Sequence, residues 1–124
     1  MLFRFDMRYE GVVNKGWGRE DIFVTNNEYC GKILSFFNDG KSSMHYHLDK
    51  KETWYCLSGQ FIIHYINTKD ASISQVSFNV GDVWTNERGM PHQLECIETG
   101  SILEVSTPDS DEDNYRVFKG DSQK

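Results

Sequence analysis

The sequence contains few prolines, few cysteines and no long hydrophobic run. Two of its 124 residues are proline, and the three cysteines are an odd number in a chain large enough to fold without disulfides. We therefore interpret Cys30, Cys56 and Cys96 as buried free thiols. No run is long enough to cross a membrane, and the first six residues carry no signal-peptide pattern, so the sequence predicts a cytoplasmic protein.

The sequence has fewer basic than acidic residues. The chain has 13 Lys and Arg against 19 Asp and Glu, which gives a net charge of -6. Because an acidic protein repels the phosphates of nucleic acids and the surface of anionic membranes, we expect neither as a partner. The densest block of acid is residues 109–113, which we interpret as a solvated loop outside the functional pocket.

Short apolar runs separated by turn residues predict an all-β fold. No run has a sustained 3.6-residue period, and the spacing is typical of a sandwich or a small antiparallel barrel. We expect one domain over residues 1–124, with an N-terminal arm (1–20) and an acidic loop followed by a fraying tail (108–124). The predicted strands are residues 21–25, 31–37, 52–57, 60–66, 72–78, 93–97 and 101–105.

Histidine is scarce, yet three of its four copies form a pattern suited to a metal. Alternate residues of a strand face the same side, so His45 and His47 are expected to point together. Glu52 begins the next extended run and would stand beside them, while His92 would come from a later strand. Three imidazoles and one carboxylate suit a divalent first-row metal and leave coordination positions open.

Spaced glycines make this pattern specific, and it resembles the two sequence motifs of the cupin family. The resemblance implies a small antiparallel β-barrel, or double-sheet jelly roll. It also implies one divalent transition metal (Mn, Fe, Zn, Ni or Co) held by His45, His47, Glu52 and His92. The motifs are Gly40-x4-His45-x-His47-x4-Glu52-x6-Gly59 and Gly81-Asp82-x6-Gly89-x-Pro91-His92.

Most of the chain, from about residue 14 to residue 118, is similar to the cupin domain of type II mannose-6-phosphate isomerases and related sugar-isomerase-like cupins. The resemblance implies a small-molecule substrate, aldose-ketose isomerisation and a homodimer. This sequence departs from those isomerases at three positions that bear on the substrate. The isomerases commonly have a Gln where this chain has His45, an Arg in place of Lys50, and a basic residue in place of Gln93. They leave open whether the substrate is phosphorylated. The candidate phosphate partners are Lys32, Lys41, Lys50, Lys51 and Arg88.

Two residues are candidates for the base that isomerisation requires. Glu104 lies in a segment that matches the isomerases, residues 103–106, and could equally orient a ligand imidazole. His64 is the other candidate, and its side chain could instead point away from the pocket. Two alternative functions stay open, an Fe(II) dioxygenase or lyase and a cupin that only binds a sugar or small acid. The last is suggested by the aromatic residues Trp54, Tyr55 and Trp84.

Overall fold

A computed structural model of the chain describes residues 11–124, so the first half of the predicted N-terminal arm and the segment inspected for a signal peptide lie outside the described part. Almost all of its regular structure is β-strand, which confirms the predicted all-β class. Within residues 11–124, no helix has the length and hydropathy needed to cross a bilayer. The elements are β1 (Gly11–Lys15), β2 (Gly18–Thr25), β3 (Cys30–Phe36), β4 (Met44–Tyr46), β5 (Glu52–Ile66), β6 (Ile73–Asn79), β7 (Val83–Asn86), β8 (His92–Ser106), β9 (Tyr115–Phe118) and a 3-10 helix (Asp121–Gln123).

The strands form one curled antiparallel sheet built around β5 and β8. Its hydrogen-bonded order is β1-β2-β3-β8-β4-β9, and β5 pairs with β6, β7 and β8. The pairing of β5 with β8 runs from Glu52 opposite Ser106 to Tyr65 opposite His92. The first part of β5 also pairs with β7 and its second part with β6. Every other strand is therefore joined to this long pair, directly or through a neighbouring strand, and each of its two strands begins with a predicted metal ligand.

Two predicted turns are bends within long strands. The sequence predicts chain reversal at Ser58-Gly59 and at Thr99-Gly100, whereas β5 and β8 continue through these positions. Their pairing shifts register around Gly59, as it does in a β-bulge. Gly59 has a φ of 80°, and a Cβ on Gly100 would lie 2.1 Å from the Ser58 carbonyl oxygen. Only glycine allows the two backbones to approach this closely, so the strands bend together at one corner.

The core follows the predicted alternation of the strands. Trp54 and Cys56 are buried together with Glu52, whereas Tyr55 and Leu57, at the alternate positions, are exposed. The three cysteines are buried and unbridged, as predicted. The buried hydrophobic cluster, which fills the barrel, consists of Trp17, Leu34, Phe36, Trp54, Cys56, Phe61, Ile63, Phe78, Leu94, Cys96 and Ile102.

Both ends of the described chain are part of the barrel. β1 pairs with β2, so residues 11–15 belong to the sheet, and β9 pairs with β4 beside the histidines. The tail that we expected to fray is bonded to the body: the Asp121 carboxylate accepts a hydrogen bond from the Lys41 amide at 2.8 Å. The Gly16 amide donates to Ser122 Oγ at 3.0 Å. These contacts place the last residues along the wall of the cavity described below.

Candidate metal centre

Three imidazoles meet inside the barrel. His45 lies in β4, His47 follows the end of that strand, and His92 is the first residue of β8, where its backbone pairs with His45. One ring nitrogen from each residue lies within 4.8 Å of the other two. Tyr46, between the first two, turns away and stacks on Tyr115 with ring centroids 5.1 Å apart. The structure thus brings together the three histidines that the motif singled out, in a group that can hold a metal ion.

The tautomer of each imidazole is fixed by a backbone carbonyl. His45 Nδ1 donates to the Ser43 carbonyl and His92 Nδ1 to the Met90 carbonyl, both at 2.9 Å. His47 Nδ1 donates to the carbonyl of Asp113. With the proton on Nδ1, each Nε2 carries the free lone pair that binds a metal.

Glu52 places a carboxylate oxygen against these lone pairs. The residue is 3% exposed, and its Oε1 lies 2.8 Å from His92 Nε2 and 3.9 Å from His47 Nε2. Within the described part of the chain, His92 Nε2 is buried and has no hydrogen-bond donor. Two buried acceptors therefore face each other, an arrangement that a cation between them would satisfy. The set of imidazole nitrogens and one carboxylate fits a divalent transition metal, whose identity it leaves open.

Electrostatics keep the candidate ligands in the form that binds a metal. Burial lowers the pKa of His45 to about 3, and burial also lowers the pKa of His47. Although burial opposes its ionisation, the Lys50 ammonium holds the pKa of Glu52 well below its ordinary value. At neutral pH these three groups have no proton to lose before a cation binds.

His45 and His47 line a cavity of about 370 Å³, and His92 is buried behind them. Such a volume is typical of sites for small molecules. Among the three aromatic residues that suggested a carbohydrate pocket, Trp54 lines the cavity, Tyr55 is exposed on the outside, and Trp84 packs against Tyr65. The residues of the wall on which the chemistry depends are His45, His47, Lys50, Glu52, Trp54 and Glu104.

Two buried lysines in the wall are neutralised by carboxylates. Lys50 Nζ lies 3.2 Å from Glu52 Oε2 and 3.2 Å from Glu104 Oε2, and 3.4 Å from Asp109 Oδ1. Lys32 Nζ lies 2.6 Å from Asp109 Oδ2 and 3.4 Å from Glu20 Oε1. Such buried ammonium groups require a counter-charge.

The pairing of Asp109 corrects the prediction for residues 109–113. We expected this run to be solvated and outside the pocket, whereas Asp109 and Asp111 line the cavity and Asp113 is 7% exposed. The lysines that attract Asp109 lie far from it in sequence, on β3 and between β4 and β5. Local composition could not reveal this contact.

Glu104 lies in the cavity wall at hydrogen-bond distance from two other wall residues. Its Oε1 accepts the indole N–H of Trp54 at 2.9 Å, and its Oε2 accepts a bond from Lys50. Burial and the neighbouring charge of Glu52 raise the pKa of Glu104 to about 8. Its described hydrogen bonds reach no imidazole, while its partner Trp54 packs edge-on against His92 with ring centroids 5.4 Å apart.

The structure does not bring His64 to the cavity. Phe61 and Ile63 point into the core, so His64 points to the opposite face of β5, where its Nε2 lies 2.9 Å from Glu95 Oε1. Around Gly59 the bulge shifts the inward positions from even to odd residue numbers. The prediction of His64 as a base is corrected for this reason.

The cations available to an anionic ligand also differ from those expected. Lys51 pairs with Glu87 at 3.3 Å on the surface, and Arg88 donates to the Asp49 carbonyl at 2.8 Å. Lys41 is not part of the cavity lining, whereas Lys15 and Arg116 are. Sequence reasoning assigned these last two no role, and the structure places Arg116 in β9, beside the histidine strand β4.

Comparisons with known proteins support the fold. No protein-family model matches the chain. A curated protein named probable oxalate decarboxylase, from Arthroderma benhamiae, is 25% identical over 117 residues, which are 91% of this chain and 28% of that protein. The solved oxalate decarboxylase of Bacillus subtilis, a protein with Mn(II) centres, matches with a TM-score of 0.73 at 17% identity, over 85% of this chain and 29% of that one. KdgF from Halomonas sp. matches with a TM-score of 0.66 at 14% identity, over 76% of this chain and 82% of that one.

These likenesses agree with the all-β cupin fold that the motifs predict. The chain spans less than a third of the length of the oxalate decarboxylases that it matches.

Proposed function

We propose that the protein is a divalent-metal cupin enzyme for a small polar metabolite, and that it isomerises a sugar or sugar phosphate. The observation that carries the metal-dependent part is the convergence of three imidazoles and the Glu52 carboxylate beside the cavity, which His45, His47 and Glu52 line. The sugar part rests on the similarity of residues 14–118 to sugar-isomerase-like cupins.

His45, His47, Glu52 and His92 would hold the metal. A divalent cation bound there would stabilise the negative charge that develops on the two substrate oxygens during enolisation. We favour manganese for the first tests because the structurally similar Bacillus subtilis oxalate decarboxylase has Mn(II) centres.

Glu104 would carry the proton. Aldose-ketose isomerisation breaks the C–H bond next to the carbonyl, leaves the electron pair on the substrate, and returns a proton to the former carbonyl carbon. The hydroxyl proton moves from one substrate oxygen to the other, so no oxidant is consumed. The Trp54 indole and the Lys50 ammonium hold the Glu104 carboxyl at the cavity wall. One base can take the proton from the first carbon and return it to the second only if its carboxyl is held in a fixed position, as this one is.

Elemental analysis of protein purified without an affinity tag tests the metal part. Wild type and His64→Gln are expected to contain about one divalent metal per chain, while His47→Ala and Glu52→Ala lose it. The matched control separates the loss of an imidazole from the loss of this site, because His64 lies outside the cavity. If wild type holds no metal and takes up none on soaking, the metal proposal is wrong.

Proton exchange tests the reaction. In deuterated water without oxygen, the metal-loaded enzyme is expected to exchange the C2 proton of mannose 6-phosphate, of mannose or of a related sugar, detected by NMR. Glu104→Gln should keep its metal and lose exchange by about 100-fold or more, in the range that general-base catalysis supplies. Retention of exchange in Glu104→Gln would exclude this base, and no exchange with any sugar would exclude the isomerase.

A second candidate is an oxygen-dependent decarboxylase or dioxygenase of a small carboxylic acid. It is favoured by the likeness to oxalate decarboxylases in sequence and in structure. Release of carbon dioxide from oxalate or a related acid, only with metal and oxygen present, would support it over the isomerase. Tight binding of a sugar or acid without turnover under either condition would instead favour the purely binding cupin.

Two expectations accompany the proposal and stay predictions. A homodimer is expected from the resemblance to other cupins, and light scattering of the purified chain measures it. Cytoplasmic location stays a prediction of the sequence, and fractionation of the source cells would test it.

A further inference from the structure

We propose that Asp113 is a positioning residue that holds His47 in the orientation a metal requires. The inference rests on the proposed metal site and adds to it a residue that touches neither metal nor substrate. Asp113 contributes two groups to the same place, its side-chain carboxylate and its backbone carbonyl oxygen.

The carboxylate of Asp113 binds the chain between two metal ligands. It accepts hydrogen bonds from three successive amides: Leu48 donates to Oδ1 at 2.7 Å, and Asp49 and Lys50 donate to Oδ2 at 3.1 and 2.9 Å. These amides belong to the connection from His47 to Glu52, which is not part of a strand. A carboxylate that collects consecutive backbone N–H groups fixes the path of such a connection.

The carbonyl of Asp113 fixes the His47 ring. His45 and His92 donate Nδ1–H to carbonyls only two residues away, those of Ser43 and Met90. His47 instead donates to Asp113, 66 residues further along the chain. The orientation of the His47 imidazole therefore depends on the position of the segment before β9. The hydrogen bonds of the Asp113 carboxylate hold that segment in place.

A substitution can separate these two groups. Asp113→Asn keeps the size of the side chain and the backbone carbonyl, but it replaces one acceptor oxygen by an NH2 group that opposes the amides. The segment must then shift, and the carbonyl bonded to His47 shifts with it. Glu112→Gln is the matched control, since it removes one negative charge from the neighbouring residue, which is exposed and outside the cavity lining.

The test is titration of metal-free protein with Mn(II) alone, monitored by calorimetry and by electron paramagnetic resonance of the bound ion. We expect Asp113→Asn to weaken Mn(II) binding by about 10-fold to 100-fold and to change the spectrum of the bound ion, as loss of a ligand-orienting group does. Glu112→Gln should bind as wild type does, and Asp113→Glu, which keeps the charge, should recover part of the loss.

The outcomes separate this inference from the proposed function. If wild type binds no Mn(II), the metal site itself is wrong. If wild type binds and Asp113→Asn binds equally well with the same spectrum, the positioning role is wrong. If Asp113→Asn does not fold, Asp113→Ser, which removes the carboxylate, carries the comparison, and unchanged affinity and spectrum there overturn the role. Long-range 1H–15N spectra of metal-free wild type must also show His47 protonated at Nδ1, and the other tautomer would contradict the inference.

Discussion

Acidification should destabilise the metal-free protein through His45. The pKa of this imidazole is lowered from an ordinary 6.5 to about 3 in the folded chain, with burial as the first cause. Between these values the unfolded chain binds a proton that the folded chain does not. The stability that the neutral imidazole provides is therefore complete above pH 6.5 and is lost progressively as the pH falls towards 3.

The size of the effect follows from the two pKa values. Going from pH 7 to pH 5, one group that shifts from 6.5 to about 3 reduces the free energy of unfolding by about 2 kcal/mol. Other groups also change over this range: the lowered pKa of His47 adds to the loss, and the raised pKa of Glu104 opposes it. The measurement must therefore be a difference between two proteins that share those groups.

Urea denaturation of wild type and His45→Gln, both freed of metal by a chelator, supplies that difference. The stability of wild type relative to the variant should fall by about 2 kcal/mol between pH 7 and pH 5. An NMR titration of His45 in the folded wild type should show no protonation down to pH 5. Equal losses in both proteins, with unchanged denaturant slopes, would refute the claim that burial keeps this imidazole neutral.

Three further predictions concern the barrel and its buried carboxyl. Gly100→Ala should reduce the free energy of unfolding, measured in urea, by more than about 2 kcal/mol, because its Cβ would lie 2.1 Å from a backbone oxygen. Gly81→Ala, at a φ of 89° with open space around it, should reduce it by only about 1 kcal/mol. Trp54→Phe should cost about 1–3 kcal/mol in the same assay because it removes the N–H donor of buried Glu104. Binding of a dication beside Glu52 should cancel the repulsion that helps to raise the pKa of Glu104, so wild type should release a proton when the metal binds at pH 7. Calorimetry in several buffers measures this release, and Glu104→Gln should not show it.

Strand parity accounts for what the sequence could predict. The inward set of Glu52, Trp54 and Cys56 follows from period-two alternation, and so does the common direction of His45 and His47. These assignments depend only on residues close in sequence. The prediction that His64 faces the cavity was wrong because a β-bulge interrupts the alternation: one extra residue at the corner turns every later side chain of the strand to the other face.

Long-range charge pairing accounts for what the sequence could not predict. The acidic run was interpreted from its composition, as a solvated loop, and nothing local to it indicates that Asp109 meets Lys32 and Lys50 or that Asp113 binds the amides after His47. Each of these contacts joins residues that are far apart along the chain. Such partners are decided by the topology that brings β3, β4 and the segment before β9 to the same cavity.

The excess of acid in the composition has a specific place in the site. Two buried ammonium groups, of Lys32 and Lys50, stand against the four carboxyl groups of Glu20, Glu52, Glu104 and Asp109. Burial and the neighbouring charge of Glu52 raise the pKa of Glu104, so this carboxyl keeps its proton in the metal-free cavity. A dication held by Glu52 and three imidazoles would add positive charge beside Glu104 without changing the ligands. The same binding step would free the Glu104 carboxylate to accept a proton from a substrate, which couples metal occupancy to the proposed base.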